Sequence, residues 1–389
     1  CVLPASDRAT ERYSVYLIEG GFPPGLPGFT RDLPSASFPF WGGHCFLDFA
    51  TANFRGLGER PPTLVAEDRF RAMLPQLASR AEEAAQRIVF LDEGLAGLQT
   101  LLERDPADAI LLCPLSLACL LDREALQEQM RHREAEIVKL SVGGAAADVY
   151  LARRTALTQA LATYLSRNPA AVELAAGLFG DVLHHCFEAM EEVPGHLYFQ
   201  NSLMQLYREN LRVALNTDDP EVIEPLGKLQ ECRAPRREIV VERSAEVRNS
   251  LLAPGSRVEG RVEGSFIFPD VVVHRGAMVS NSVVMNGNRV GARSQLHRCL
   301  VLPYLGDNGK NAPNIGESSS IGLKASTAIN YDYPQQIRDG ITVLGVSVEV
   351  PKSYTIGAGC LVGARVSAEQ LRPLKELRKG ASVLCSTDR

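Results

Sequence analysis

The residue types that first suggest chemistry lie near the start of the chain. Ser14-Val15-Tyr16-Leu17-Ile18 runs into Gly20-Gly21, a strand-like stretch ending in a glycine turn. Pro23 and Pro24 follow, and neither has a backbone N–H to give. Far downstream, Arg372, Lys375, Arg378 and Lys379 recur at spacings of three and four, which on a helix would put four cations on one face, either a solvated surface or a patch that could take an anion. His274 and His297 fall in a repetitive region and raise acyl transfer, but a lone histidine there reads as a surface residue. His184-His185 and His196 raise metal binding, although adjacent helical residues point to different sides. The nine cysteines are scattered without a CxxC, so neither a zinc cluster nor a disulfide framework is indicated. Cys113 and Cys119 read as small core residues, and the compartment is expected to be reducing and cytoplasmic. Gly306-Asp307-Asn308-Gly309-Lys310-Asn311 matches neither an EF-hand nor a P-loop in spacing and reads as a turn-rich excursion.

The chain behind these residues has 389 positions, enough for two domains. Hydrophobic residues make up 45% and charged residues 22%, which excludes wholesale disorder. Forty-one basic residues against 46 acidic leave a net charge of −5 and no support for a broad cationic face, so no nucleic-acid partner is expected. No apolar run approaches the roughly 18–20 residues of a membrane span, and no leader pattern is read at the start. Cys1 is read as the result of a lost initiator Met or of trimming in preference to the exposed Cys of a matured lipoprotein.

Two grammars divide the sequence. Over residues 1–225, apolar β-rich runs alternate with helical patterns, which predicts an α/β sheet domain. Ala109-Ile110-Leu111-Leu112-Cys113 is continuously apolar, as in a buried parallel strand. Helices are expected at 123–136, 156–167, 174–192 and 202–214. Residues 226–247, with Arg233, Pro235, Arg236 and Arg237, read as a solvated linker. From 248 to 389 the segments Asn249-Ser250-Leu251-Leu252, Gly264-Ser265-Phe266-Ile267, Asn281-Ser282-Val283-Val284 and Arg298-Cys299-Leu300-Val301 resemble one another, the last three beginning 17 residues apart. Aliphatics at Ile267, Val273, Val279, Val284, Val290, Leu296 and Val301 are spaced six, six, five, six, six and five. One inward aliphatic per side of a triangular coil demands this spacing, and hexapeptide repetition marks a parallel β-helix, each coil burying its apolar face on the next. The pattern breaks at 304–341 and resumes at Val350, Ile356 and Val362.

A glycine turn after the first strand followed by a β-helix resembles the sugar-nucleotide pyrophosphorylases, in particular the ADP-glucose pyrophosphorylase (glucose-1-phosphate adenylyltransferase) family. The likeness rests on Gly20-Gly21, on Thr30 through Pro39-Phe40-Trp41-Gly42-Gly43, and on Phe46-Leu47-Asp48-Phe49-Ala50-Thr51-Ala52-Asn53. It continues at Leu178-Phe179-Gly180-Asp181-Val182-Leu183 and Leu206-Tyr207-Arg208-Glu209-Asn210-Leu211. It implies a Rossmann-like, nucleotidyltransferase-type mixed sheet followed by a left-handed parallel β-helix. It also implies a site with a loop arginine and a lysine on the triphosphate, two aspartates on Mg²⁺, and a Glu-Lys-Pro segment on the sugar phosphate.

Against those implied needs the chain departs repeatedly. Pro23 aligns with the loop's third glycine, Gly25 with the arginine and Ser35 with the lysine. Ser116 and Phe199 align with the two aspartates, and no Glu-Lys-Pro exists anywhere. Trp41, where the family usually has Gly, is expected to crowd the substrate. Asp48 is expected to be a structural strand-end residue and Asp122 a helix N-cap. A polyphosphate without countercharge in a partly dehydrated cleft is strongly disfavoured, so catalytic, cofactor and metal residues are expected to be none. Pro34-Ser35-Ala36-Ser37-Phe38-Pro39, Asp148-Val149-Tyr150 and Ser202 resemble the family's non-catalytic subunit, although the stretch between Asn53 and Asp108 is shorter than in that subunit. The expectation is therefore an impaired subunit partnered by a catalytic ADP-glucose pyrophosphorylase subunit or by itself through open β-helix ends. The alternative is an active adenylyltransferase with an altered site, and only that alternative calls for Mg²⁺. An acyltransferase acting through His274 or His297 is a third class.

Overall fold

The computed structural model describes residues 12–20, 34–41, 44–57, 60–73, 87–132, 135–169, 173–200, 202–220, 222, 227, 229, 237–306, 312–323 and 327–385. Gly21, Pro23, Pro24, Gly25, Thr30, Gly42, Gly43, Arg233, Pro235, Arg236, and all of the 306–311 excursion except Gly306, lie outside the described residues. The chain divides into two compact units, one holding 34–38 and 46–200 with the first strand, the other holding 39–45 and everything from 201 onward.

The first unit is built on a seven-stranded sheet. In chain order its elements, with one small hairpin that belongs to the other unit, are β1 Tyr13–Ile18, β2 Pro39–Trp41, β3 His44–Cys45, α1 Phe46–Phe54, β4 Thr63–Glu67, β5 Arg87–Leu91 and α2 Gly94–Glu103. They continue with β6 Ala109–Pro114, β7 Leu117–Leu121, α3 Arg123–His132, β8 Ile137–Val142, β9 Ala145–Arg153, α4 Arg154–Arg167, β10 Ala189–Val193 and β11 Gly195–Gln200. The order across the sheet is β10-β8-β9-β6-β1-β4-β5. β9 runs antiparallel to both of its neighbours, and the remaining pairs are parallel. Every residue of β6 is buried, the signature of a strand covered on both faces. One face, carrying Tyr16, Ile18, Val65, Ile110, Leu112 and Tyr150, is covered by α2, α4 and a π-helical segment Ala176–Leu183 through Leu98, Leu102, Leu157, Leu161, Leu178 and Val182. Each such side chain contributes roughly 1.5–3 kcal/mol on burial, so this layer holds the sheet's curvature and its end loops in place.

The second unit is the β-helix. Three parallel ladders run through it, of four, seven and seven strands. The inward residues stack in register: Val258, Val273 and Val290 on one side; Val262, Val279, Leu296, Ile321 and Ile356 on the second; Ile267, Val284, Val301, Leu344 and Val362 on the third. All are buried. The resemblance among the four Asn-Ser-like segments has a conformational cause. Asn249, Gly264, Asn281 and Arg298 turn the corner with φ of 44°, 54°, 45° and 52°. The Ser265, Ser282 and Cys299 N–H groups each donate to the serine Oγ one coil earlier, at 3.0–3.1 Å.

The structure departs from four expectations here. The helix expected at 174–192 ends at Cys186, and Ala189–Val193 forms β10, paired with β8. The coil begins at Val240-Val241, which pair with Arg257-Val258, inside the stretch read as a linker. The helix expected at 202–214, labelled α5 Leu203–Leu215, belongs to the second unit rather than to a domain ending at 225. There the Tyr207 hydroxyl donates to the Asn281 carbonyl, and Arg208 pairs with Asp339 at 2.5 Å. The break at 304–341 is also shorter than it reads, because Ile315 and Ile321, six apart, continue the coil within it.

Candidate functional site

In a sheet of this kind ligands bind outside the carboxyl ends of the strands where the order reverses. The chain goes from β1 to β4 and β5 on one side and returns to β6 on the other, so the switch point lies between β1 and β6. Ile18 is in register with Pro114, and the Leu115 N–H donates to the Ile18 carbonyl at 2.9 Å.

What stands at that end of β1 is the chain itself. Glu19 is fully buried, and its two carboxylate oxygens accept the Ser35 N–H at 2.7 Å and the Ala36 N–H at 2.8 Å. Two adjacent N–H groups aimed at one oxyanion are an anion-binding arrangement, and here the anion is internal. Ser35 is the position that the resemblance aligns with a phosphate-binding lysine. Gly20 is equally committed to packing: a Cβ placed on it would lie 2.2 Å from the Cβ of Ala175. The Ala175 segment is tied to the carboxyl end of β4 by the Leu174 N–H, which donates to the Glu67 carboxylate at 2.8 Å. Neither Glu19 nor Glu67 was singled out from sequence. The available signal was Glu19 itself, a charge directly between the apolar run Val15–Ile18 and the glycines.

The two positions aligned with metal aspartates come together. β11 pairs antiparallel with β7, placing Gln200 opposite Leu117 and Phe199 opposite Ala118. Ser116 precedes Leu117, so positions 116 and 199 share one end of that ladder. Phe199 is fully buried, its ring 5.4 Å from that of Phe46. A hydroxyl and a phenyl ring do not fit Mg²⁺, which takes carboxylate, water and phosphate oxygens. Among the described residues no group of three His, Cys, Asp or Glu side chains could hold a metal ion. Asp48 sits in the first turn of α1 rather than at a strand end, where a negative charge favours the helix dipole. Asp122 caps α3, accepting the Ala125 N–H at 3.0 Å.

The missing sugar-phosphate segment has a definite geometry in its place. β8 and β9 form a hairpin closed by Gly143-Gly144 alone, with φ of 56° and 79°, the two-residue turn that demands φ > 0 at both positions. Asp148 on β9 bonds Lys139 on β8 at 2.9 Å, with side-chain exposures of 21% and 10%. Burial alone would lower the Lys139 pKa, but the bond to Asp148 and the neighbouring Tyr150 outweigh it and raise the value. Asn53 fixes α1 to β7, donating to the Cys119 carbonyl and accepting the Leu121 N–H, each at 2.9 Å.

The remaining sequence candidates are dispersed. Trp41 stacks on His44 in the β2–β3 hairpin, ring centroids 5.9 Å apart. His184, His185 and His196 are exposed. His274 lies 3.6 Å from Glu259, and the His297 Nδ1 is 2.9 Å from the Ser280 Oγ. Burial, then the neighbouring Arg298, lowers the His297 pKa. Arg372, Lys375, Arg378 and Lys379 are exposed but do not share a helical face, which corrects the reading from their spacing. The α-helix there is a single turn, Ala368–Leu371, followed by a 3₁₀ turn Arg372–Leu374 containing Pro373. Lys375 then adopts a φ of 58°, and Glu376-Leu377 rejoins the coil, with Arg378 3.3 Å from Glu376.

With this geometry established, comparison with known proteins adds two likenesses. Residues 237–323 match the family described as "GlmU-like, C-terminal hexapeptide", the stretch that forms the first coils of the β-helix. The chain is also distantly similar to a glucose-1-phosphate adenylyltransferase of Acetivibrio thermocellus, 23% identical over 188 residues. Those residues are 47% of this chain and 41% of that protein, so the match spans about two fifths of the relative's length. Among the described residues no helix is long and apolar enough to cross a membrane.

Proposed function

We propose that this chain is a catalytically impaired subunit of the ADP-glucose pyrophosphorylase type that assembles with an active glucose-1-phosphate adenylyltransferase, or with itself, and modulates glycogen biosynthesis in the cytoplasm. The observation that carries the reading is the pair Ser116 and Phe199, held at one end of the β7–β11 ladder where the resemblance implies two metal carboxylates. Without them, and with Glu19 on the N–H pair at Ser35 and Ala36, the described residues at this point offer an incoming triphosphate neither a metal site nor that pair of donors. The two-residue β8–β9 turn supports the same reading. Arg372, Lys375, Arg378 and Lys379 are the proposed contacts for an anionic effector, as exposed residues of one short segment rather than of a helix face.

The test is turnover. The purified chain with ATP, glucose 1-phosphate and Mg²⁺ is expected to release no pyrophosphate, and a stoichiometric adenylyltransferase is expected to co-purify with it from the native cell and change its kinetics when it is removed. Turnover by the chain alone at an ordinary enzymatic rate, roughly 1 s⁻¹ or more, overturns the reading in favour of an active enzyme with an altered site.

A further inference from the structure

At the amino ends of the same strands, away from β1's carboxyl end, lies a cavity of about 140 Å³. Strand register builds it. Tyr16 is opposite Thr63, and Thr63 is opposite Arg87, so one row across three parallel strands turns a phenol, a hydroxyl and a guanidinium toward one face. Ser14, two residues before Tyr16, shares that face. Arg60 comes in from the loop before β4, and Asp105 from the turn after α2.

Asp105 is already engaged within the protein. Its Oδ1 accepts the Ser14 hydroxyl at 3.0 Å and the Ala107 N–H at 2.8 Å, and its Oδ2 accepts the Tyr16 hydroxyl. Burial, then the bond to Asp105, pushes the Tyr16 phenol far above its usual range, so it remains a donor. One carboxylate is thus internally satisfied, while two exposed arginines and the Thr63 hydroxyl line the cavity with no hydrogen-bond or ion-pair partner among the described residues. The cluster carries one net positive charge and a surplus of donors facing a small concave space. Planar guanidinium forks and a hydroxyl are donors matched to tetrahedral oxyanions.

We propose that this cavity binds a small phosphate group, free or carried by a phosphorylated metabolite, through Arg60, Arg87 and Thr63. The site stands at the opposite end of β1 from Glu19 and Gly20 and does not rest on the functional reading above. Its ligand is therefore a regulator or stabiliser of the first unit rather than a reactant.

The experiment titrates the full chain by calorimetry with inorganic phosphate, and in a second arm with a hexose monophosphate, at 50 and 300 mM salt. Saturable one-to-one binding that weakens at the higher salt is expected. Tighter binding of the sugar phosphate assigns the site to a metabolite, and tighter binding of inorganic phosphate assigns it to the free ion. Arg60→Gln and Arg87→Gln each weaken binding by roughly tenfold, the worth of one charge-assisted hydrogen bond, and the double variant abolishes it. Thermal melts without phosphate are unchanged in these variants, because both side chains are exposed. Asp105→Asn removes the opposing charge and tightens binding severalfold, which a merely structural arginine pair would not produce. No binding by the natural chain, or binding undiminished in the Arg60→Gln, Arg87→Gln double variant, overturns the proposal.

Discussion

Gly20 offers the sharpest test of whether the end of β1 is built for a ligand or for packing. If its lack of a side chain serves the contact with Ala175, then Gly20→Ala places two methyl carbons 2.2 Å apart. Ordinary contact needs about 3.4 Å, so the 174–183 helix must withdraw by about 1 Å, straining the Leu174–Glu67 bond as it goes. Overpacking of this kind costs about 1–3 kcal/mol, and the mid-range cost lowers the melting temperature of a unit this size by about 4–8 °C. Ala175→Gly by itself costs about 1 kcal/mol in helix propensity. The double variant removes the clash, because the next nearest atom, the Ala175 Cα, is 3.7 Å away. It is therefore expected to be no less stable than Ala175→Gly alone, giving a favourable coupling of about 1–3 kcal/mol. The lone Trp41 belongs to the other unit, so its fluorescence reports the wrong transition. Hydrogen exchange of β1 amides during urea unfolding is the appropriate probe. A Gly20→Ala variant as stable as the natural chain, or one that Ala175→Gly fails to rescue, refutes the packing account and returns the glycine to ligand binding.

Other outcomes follow from the same structure. Asn53→Ala leaves the buried Cys119 carbonyl and Leu121 N–H without their partner and is expected to destabilise the first unit by about 2–5 kcal/mol in urea unfolding. Among the described cysteines, Cys186 is exposed while Cys113, Cys119, Cys299 and Cys360 are buried. Burial pushes the Cys119 and Cys299 thiols up to about 12 and Cys360 up to about 11. Maleimide at neutral pH should therefore label Cys186 first by peptide mass spectrometry, and those four only on unfolding. His297 has a lowered pKa in the fold, so below its ordinary value of 6.5 the unfolded chain takes up the proton first and stability falls as pH drops. His297→Gln should flatten the melting temperature between pH 7 and 5; an unchanged slope contradicts that sign.

Some of this protein was legible before any coordinates, and the reason is periodicity. A coil with one inward aliphatic per side must repeat its apolar residues every five or six positions, and the stacked ladders through Val279, Leu296 and Val301 are that repeat made physical. The continuously apolar run at 109–113 announced a strand buried on both faces. Helical spacing was a weaker guide at Arg372–Lys379, where Pro373 and a positive φ at Lys375 break the face that the numbers promised. Residues 240–241 read as linker because Val240-Val241, on an end coil, pairs on one side only among the described residues and has charged neighbours.

By itself the sequence determined which residue types are present: no carboxylate at 116 or 199, a serine at 35, no Glu-Lys-Pro, and a hexapeptide repeat. Only the tertiary structure decided what those residues do. Strand pairing, which joins positions far apart in the chain, brings 116 and 199 to one ladder end, sets Glu19 on the Ser35 and Ala36 amides, seats Ala175 against Gly20, and aligns Tyr16, Thr63 and Arg87 in one row. Local spacing encodes the period of an element, whereas register between elements depends on burial and hydrogen bonding summed over the whole sheet.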